Sequence, residues 1–131
     1  MKVVVTGGAG FIGSNLTDEL ARDHEVTVID NLSTGRIENL DHIRDRIQFI
    51  NGSILDLDLL RRAFAGADTV FHQAAIPSVQ RSVDNPIASN QANVDGTLNV
   101  LVAARDCGAK KFIFASSSAI YGDEPTLPKR E

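Results

Sequence analysis

The 131-residue sequence has no tryptophan, one tyrosine, one cysteine and only four prolines. A single cysteine cannot close an internal disulfide. That excludes a small disulfide-stapled secreted scaffold and suits a reducing cytoplasm, the expected location. Cys107 has no histidine near it in sequence and sits close to an expected helix end, so it reads as a small packing residue and not as a nucleophile. An excess of one charge sign is also missing. Thirteen Lys and Arg are interspersed with seventeen Asp and Glu, for a net charge of −4. There is no basic stripe of the kind that nucleic acid or an anionic membrane attracts, and neither is expected as a partner. No apolar run approaches the ~20 residues of a membrane-crossing helix. The N-terminus enters a strand pattern directly, so no leader peptide is expected. No metal site, low-complexity segment or internal repeat is expected either.

What is present is a core. With 43% hydrophobic residues, the chain can bury roughly two-thirds of its unfolded surface as one domain. The most informative stretch is Val3-Val4-Val5-Thr6-Gly7-Gly8-Ala9-Gly10-Phe11-Ile12-Gly13-Ser14. A β-branched run suits a strand covered on both faces. Glycines follow it and admit a ligand to bare backbone. A helix then begins, whose N-terminal N–H groups and dipole favour a pyrophosphate. Gly13, one turn into that helix, lets it pack closely on the strand. Glycine motifs alone are weak evidence, but this one has a strand before it, a helix after it and an acidic end to the next strand, Glu25–Asp30. Asp30 lies 20 residues beyond Gly10. A carboxylate there accepts from both ribose hydroxyls of an adenosine and repels a 2′-phosphate, which favours NAD over NADP. No lysine follows the glycines, which excludes a P-loop.

The rest of the chain alternates. Phe11, Ile12, Leu16, Leu20 and Ala21 have helical spacing to about Arg22 or Asp23. Asn31-Leu32-Ser33-Thr34-Gly35 is turn chemistry expected over the adenosine. A short polar helix is expected over 36–46, a strand over Gln48-Phe49-Ile50, and a helix from Asp56 to Phe64 with Leu57, Leu60 and Phe64 on one face. Thr69–Gln73 reads as strand four, with a small-residue loop from Ala74 to Ser78. Asn85-Pro86 opens the longest helix, with Asn as cap and Pro at the first position; it runs to about Cys107 and stops at Gly108. Val94, Leu98, Leu101 and Val102 are its expected apolar face. Lys111–Ala115 is strand five, leading into Ser116-Ser117-Ser118-Ala119-Ile120-Tyr121-Gly122. Strict βα alternation predicts a doubly wound parallel sheet of the Rossmann type, and right-handed crossovers predict strand order 3-2-1-4-5. Ligands bind beyond strand carboxyl ends at the switch between strands one and four.

Five ordered motifs resemble the extended short-chain dehydrogenase/reductase family: Thr6–Ser14, Asp30-Asn31-Leu32, His72-Gln73-Ala74-Ala75, Asn93-Val94-Asp95-Gly96-Thr97 and Ser116–Asp123. Within that family the chain is most similar to nucleotide-sugar 4-epimerases acting on UDP-glucose or UDP-N-acetylglucosamine. The resemblance covers the whole chain. It implies NAD as cofactor, a UDP-sugar as substrate and a homodimer built partly on the long helix. It further implies that Gly7, Gly10 and Gly13 form the glycine motif. Phe11 and Ile12 meet the pyrophosphate with their backbone, and Asp30, Asn31, Ser33, Thr34 and Gly35 line the adenosine ribose. Ser53 and Ile54 fall at the adenine edge, where the family usually has Asp in place of Ser53. Gln73, Ala74, Ala75, Ile76 and Pro77 run beneath the nicotinamide ribose. Asn93 ties neighbouring backbone, Ser78 faces the sugar, and Ser117 is the catalytic hydroxyl that also binds substrate. His72 is expected to be a hydrogen-bonded structural residue.

The resemblance also sets limits. The family's catalytic Tyr-x-x-x-Lys is not matched, because Tyr121 is followed by Gly-Asp-Glu-Pro. The chain is therefore expected to be the amino-terminal, NAD-binding part of an epimerase, residues 1–131, lacking the last strands and the substrate domain and inactive alone. Sugar-nucleotide 4,6-dehydratases carry an Asp-Glu pair after the catalytic hydroxyl, and UDP-glucuronate decarboxylases a Glu. Ser118 and Ala119 stand there instead, which favours an epimerase. A non-catalytic NAD-binding protein is the rival from another class.

Overall fold

The computed structural model describes residues 1–129. Five parallel strands form one sheet: β1 (Lys2–Thr6), β2 (Glu25–Asp30), β3 (Ile47–Asn51), β4 (Thr69–His72) and β5 (Lys111–Phe114), in the order β3-β2-β1-β4-β5. That is the expected order. Between the strands lie α1 (Phe11–Leu20), a 3-10 helix (Ile37–Ile43), α2 (Leu57–Ala63), α3 (Val79–Asp84), α4 (Pro86–Asn90), a π-helical segment (Gln91–Asp95) and α5 (Gly96–Asp106).

Side chains of β1 alternate between two cores, as the two-residue strand period requires. Val4 packs with Ile29, Leu60, Phe64, Val70, Val100 and Ala103 on the face covered by α2 and α5. Val3 and Val5 pack with Val26, Val28, Leu40 and Ile43 on the face covered by α1 and the 3-10 helix. The run Val3-Val4-Val5 is continuous because both faces are covered.

Several elements depart from expectation. α1 ends at Leu20, because Ala21 caps it and the next residues turn. The polar 36–46 segment winds as a 3-10 helix that still buries Leu40 and Ile43. Ser78, the end of the expected loop, caps a short helix, α3, for which there was no expectation; its Oγ accepts from the Arg81 N–H. The long helix exists, but a π segment interrupts it. Its buried face is Gly96, Val100, Ala103 and Ala104, whereas Val94, Leu98, Leu101 and Val102, expected to serve partly as core and partly as interface, are not buried. Val94 stays 57% exposed, Leu98 and Leu101 are also exposed, and Val102 is half-buried. The reason is close packing: small residues at i, i+4, i+7 and i+8 let the helix approach the sheet, so its larger residues face outward.

Candidate functional site

The crevice beyond the carboxyl ends of β1 and β4 is built around the Gly7–Gly13 turn. Gly7 has φ +72°, and a Cβ there would lie 2.6 Å from the Ala74 nitrogen. A Cβ on Gly13 would collide with the Gly7 carbonyl oxygen. The two positions therefore need glycine for close approach of the β4 loop and of α1 to the same turn. The Gly10 N–H donates to the Gly7 carbonyl at 3.1 Å, and the Ser14 N–H to the Gly10 carbonyl at 2.9 Å.

The N-terminus of α1 differs from those of α2, α3 and α4. Asp56, Ser78 and Asn85 cap those three, accepting from the N–H groups of Leu59, Arg81 and Ala88. Gly10 caps α1 with no side chain. The N–H groups of Phe11, Ile12 and Gly13 have no partner among the described residues. The Phe11 and Ile12 side chains point to solvent. Backbone donors at a dipole-positive helix end are thus open to an anion.

Asp30 sits beside this turn. Its Oδ2 accepts the Ala9 N–H at 2.9 Å and its Oδ1 the Leu32 N–H at 2.8 Å. These bonds fix the carboxylate, while each oxygen keeps a further lone pair for hydroxyl donors. Asn31 Oδ1 accepts the Ser33 N–H at 3.1 Å, so 31–33 closes as a local turn, with Ser33 and Thr34 exposed and Gly35 half-buried. The Ala9 carbonyl is held from that side by the Arg36 N–H at 3.0 Å and Asn39 Nδ2 at 2.9 Å. Asn39 escaped the sequence reading because a lone Asn in a polar segment carries no signal of its partner.

The far side of the crevice is clamped by the long helix. Asn93 Oδ1 accepts the Ile76 N–H at 2.8 Å, and Asn93 Nδ2 donates to the Ile76 carbonyl at 3.1 Å. This two-way bond fixes the middle of the loop formed by Gln73, Ala74, Ala75, Ile76 and Pro77. Asn93 itself is exposed, so its engagement comes from this clamp. Asn99 does the same for the loop after β3, donating to the Ile54 and Leu55 carbonyls at 3.2 Å each. Gly96 leaves room for the buried Ile54 side chain. Ser53 Oγ accepts the Leu55 N–H at 3.1 Å. Asn99, like Asn39, was not anticipated, because its partners lie 45 and 44 residues away in sequence.

His72 lies in the floor, 1% exposed, between Thr6 and Thr97. Burial lowers its pKa to about 4, so it is neutral at pH 7 and holds no charge for acid catalysis. The expectation of a structural histidine fits this setting. Ser117 follows β5 and is exposed; its Oγ accepts the Ala119 N–H at 3.2 Å. Tyr121 ends a short 3-10 turn, and no carboxylate occupies positions 118 or 119. No cluster of metal-ligating side chains occurs among the described residues, and no described helix is long and apolar enough to cross a membrane.

The sequence pattern of the NAD dependent epimerase/dehydratase family matches residues 3–131. The chain is 45% identical to the UDP-N-acetylglucosamine 4-epimerase of Methanobrevibacter ruminantium M1, solved with UDP-N-acetylmuramic acid. The TM-score is 0.92 over 99% of this chain and 42% of that one. It is 43% identical to the UDP-glucose 4-epimerase of Thermus thermophilus solved with NAD, with a TM-score of 0.88 over 100% of this chain and 42% of that one. It is also 40% identical to UDP-glucuronic acid decarboxylase 1 of Danio rerio, over 99% of this chain and 30% of the relative. The chain spans less than half the length of each of these proteins.

Proposed function

The chain belongs to the NAD dependent epimerase/dehydratase family, and on that premise we propose that it is the NAD-binding part of a UDP-hexose 4-epimerase. The observation that carries the cofactor reading is the uncapped N-terminus of α1 beside the fixed Asp30 carboxylate. The site fits a dinucleotide: a Cβ would fill the cradle at Gly7 and Gly13, and three backbone N–H groups await acceptors.

In this reading the N–H groups of Phe11, Ile12 and Gly13 hold the pyrophosphate. Asp30 accepts from the adenosine ribose, with Asn31, Ser33, Thr34 and Gly35 around it. Ser53 and Ile54 border the adenine. Gln73 to Pro77, held by Asn93, underlie the nicotinamide ribose. When bound, NAD supplies the hydride acceptor for C4 of the sugar and the hydride donor for its return to the opposite face. Ser117 receives one N–H at its oxygen, which leaves its proton free to donate to the reacting sugar oxygen as charge builds there. Ser78 faces the sugar. The nucleotide half of the substrate anchors the hexose and orients it.

The epimerase reading is favoured by positions 118 and 119, which are Ser and Ala and offer no acid for elimination or decarboxylation chemistry. The 40% identity to a UDP-glucuronic acid decarboxylase supports a second reading, a UDP-glucuronate decarboxylase. The whole protein, in this proposal, is a homodimer in a reducing cytoplasm, with the outward Val94, Leu98 and Leu101 in its interface.

Calorimetric titration of the 131-residue chain with NAD and NADP tests the cofactor. NAD binding with NADP at least about tenfold weaker supports the role of Asp30; equal affinities overturn it. The chain alone, with no Tyr-x-x-x-Lys, is expected not to turn over. The whole protein is tested with UDP-glucose, UDP-N-acetylglucosamine and UDP-glucuronate. A C4 epimer supports the epimerase; carbon dioxide from UDP-glucuronate replaces it with a decarboxylase.

A further inference from the structure

Under the crevice, side chains and backbone groups form one continuous run of polar contacts. Ala74 N lies 3.4 Å from Thr6 Oγ1, and Thr6 Oγ1 lies 2.6 Å from His72 Nδ1. On the other side of the ring, His72 Nε2 lies 2.9 Å from Thr97 Oγ1, which lies 2.8 Å from the Asn93 carbonyl oxygen. Counting protons fixes the direction of every bond. A carbonyl only accepts, so Thr97 gives its single hydroxyl proton to Asn93. Thr97 then has only lone pairs for the ring, and His72 Nε2 must carry the hydrogen. The ring is neutral at pH 7, because burial lowers its pKa to about 4. Nδ1 is therefore bare and accepts the Thr6 hydroxyl, and the Thr6 oxygen is left to accept the Ala74 N–H. The other tautomer fails. It asks Thr97 for two protons, and it points a ring N–H and an amide N–H at a Thr6 hydroxyl that is fully buried with no acceptor for its own hydrogen.

Both ends of this run meet the site. Thr6 precedes Gly7, and the Ala74 backbone passes within van der Waals range of Gly7. The Asn93 carbonyl lies in the π segment, and the Asn93 side chain clamps Ile76. We propose that His72 is a positioning residue whose single Nε2–H tautomer ties the end of β1, the loop 73–77 and the π segment into one rigid floor beneath the dinucleotide. Its effect on binding rests on the NAD reading above; the tie itself does not. A rigid neutral ring with a donor on one side and an acceptor on the other meets this demand, which a hydroxyl or a charged side chain does not. Phe114 stacks on the ring at 5.7 Å and Phe112 lies at 6.1 Å.

The test is 15N NMR of the 131-residue chain at pH 7, reading which His72 nitrogen is protonated. It is combined with amide exchange at Ala74 and Ile76 and with NAD titration. Thr97→Val removes the acceptor at a half-exposed position that tolerates an isosteric change, and Thr97→Ser restores it. Wild type should show the Nε2–H tautomer alone. Thr97→Val should leave the Nε2–H without its acceptor, speed exchange at Ala74 and weaken NAD binding about tenfold, a shift of the size one lost buried hydrogen bond gives. Thr97→Ser should return both the exchange rate and the affinity. An Nδ1–H ring or a mixture in wild type overturns the proposal. So does a Thr97→Val protein in which Ala74 exchange and NAD affinity stay at wild-type values. If wild type binds no NAD, the cofactor reading falls, and the tautomer and the Ala74 exchange still decide whether the tie exists.

Discussion

β1 and β5 are both parallel strands with three consecutive large apolar residues, Val3-Val4-Val5 and Phe112-Ile113-Phe114, yet the sheet treats them in opposite ways. β1 pairs on both edges, with β2 and β4, and is covered on both faces; its three valines are buried. β5 pairs with β4, and among the described residues no strand lies on its other edge. Ile113 is 38% exposed and Phe114 53%. An apolar run therefore specifies a strand without specifying how much of it is covered. The difference also divides the site. Most of the proposed dinucleotide contacts follow the inner strands β1, β2 and β4, with Ser53 and Ile54 after the edge strand β3, whereas Ser117 follows β5.

The sharpest break in that comparison is expected at Gly13. Gly13→Ala pushes a Cβ into the Gly7 carbonyl and should cost about 3 kcal/mol and abolish NAD binding. Urea unfolding and calorimetric titration read the two effects, and a variant that keeps both at wild-type values would contradict the close seating of α1 on the glycine turn. The pH dependence of His72, at the seam between the halves, comes next. Its folded pKa of about 4 lies below the unfolded 6.5. Between those values the unfolded chain takes up a proton that the folded chain refuses, so stability is full above about pH 6.5 and falls as pH drops toward 4. The loss is roughly 3 kcal/mol, at ~1.4 kcal/mol per unit. Denaturation curves at pH 7 and pH 5 should differ more for wild type than for His72→Gln; equal slopes would contradict the buried neutral ring.

Matched truncations of the two strands give the next largest effect. Val4→Ala should cost about 2 kcal/mol, and Ile113→Ala under ~1 kcal/mol, because a partly exposed side chain leaves little cavity. Equal losses in denaturant midpoints would mean that β5 is covered in solution. The smallest effect is at Asn99. Asn99→Ala should cost about 1 kcal/mol and free the loop at Ser53 and Ile54, seen as faster amide exchange at Leu55 with exchange at Ile76 unchanged.

Strand order, the glycine turn and the Asp30 end of β2 were legible because each rests on a short-range signature: β-branched runs alternating with helical spacing, glycines, an acid at a fixed distance; the tie made by Asn93 was implied only by the family resemblance. The buried face of the long helix was not legible. Hydrophobicity favoured Val94, Leu98 and Leu101, while the face that packs inward is Gly96, Val100, Ala103 and Ala104. α3 was missed because Ser78 as a cap is indistinguishable in sequence from Ser78 in a loop. The Asn39 and Asn99 contacts span 30 and 45 residues, and no local pattern announces them.

The position of β1 at the centre of the sheet has a temporal consequence. Its contacts with β2 are near in sequence, as in the pairing of Val3 with Val26. Its contacts with β4 are distant: Thr6 and His72 are 66 residues apart. Closing the longer loop costs more chain entropy before any contact repays it. As the polypeptide emerges, the β1-α1-β2 unit can assemble while the other edge of its central strand still waits for a partner. The crevice is then among the last features to form, and any ligand that spans it stabilises the completed fold over the half-assembled one.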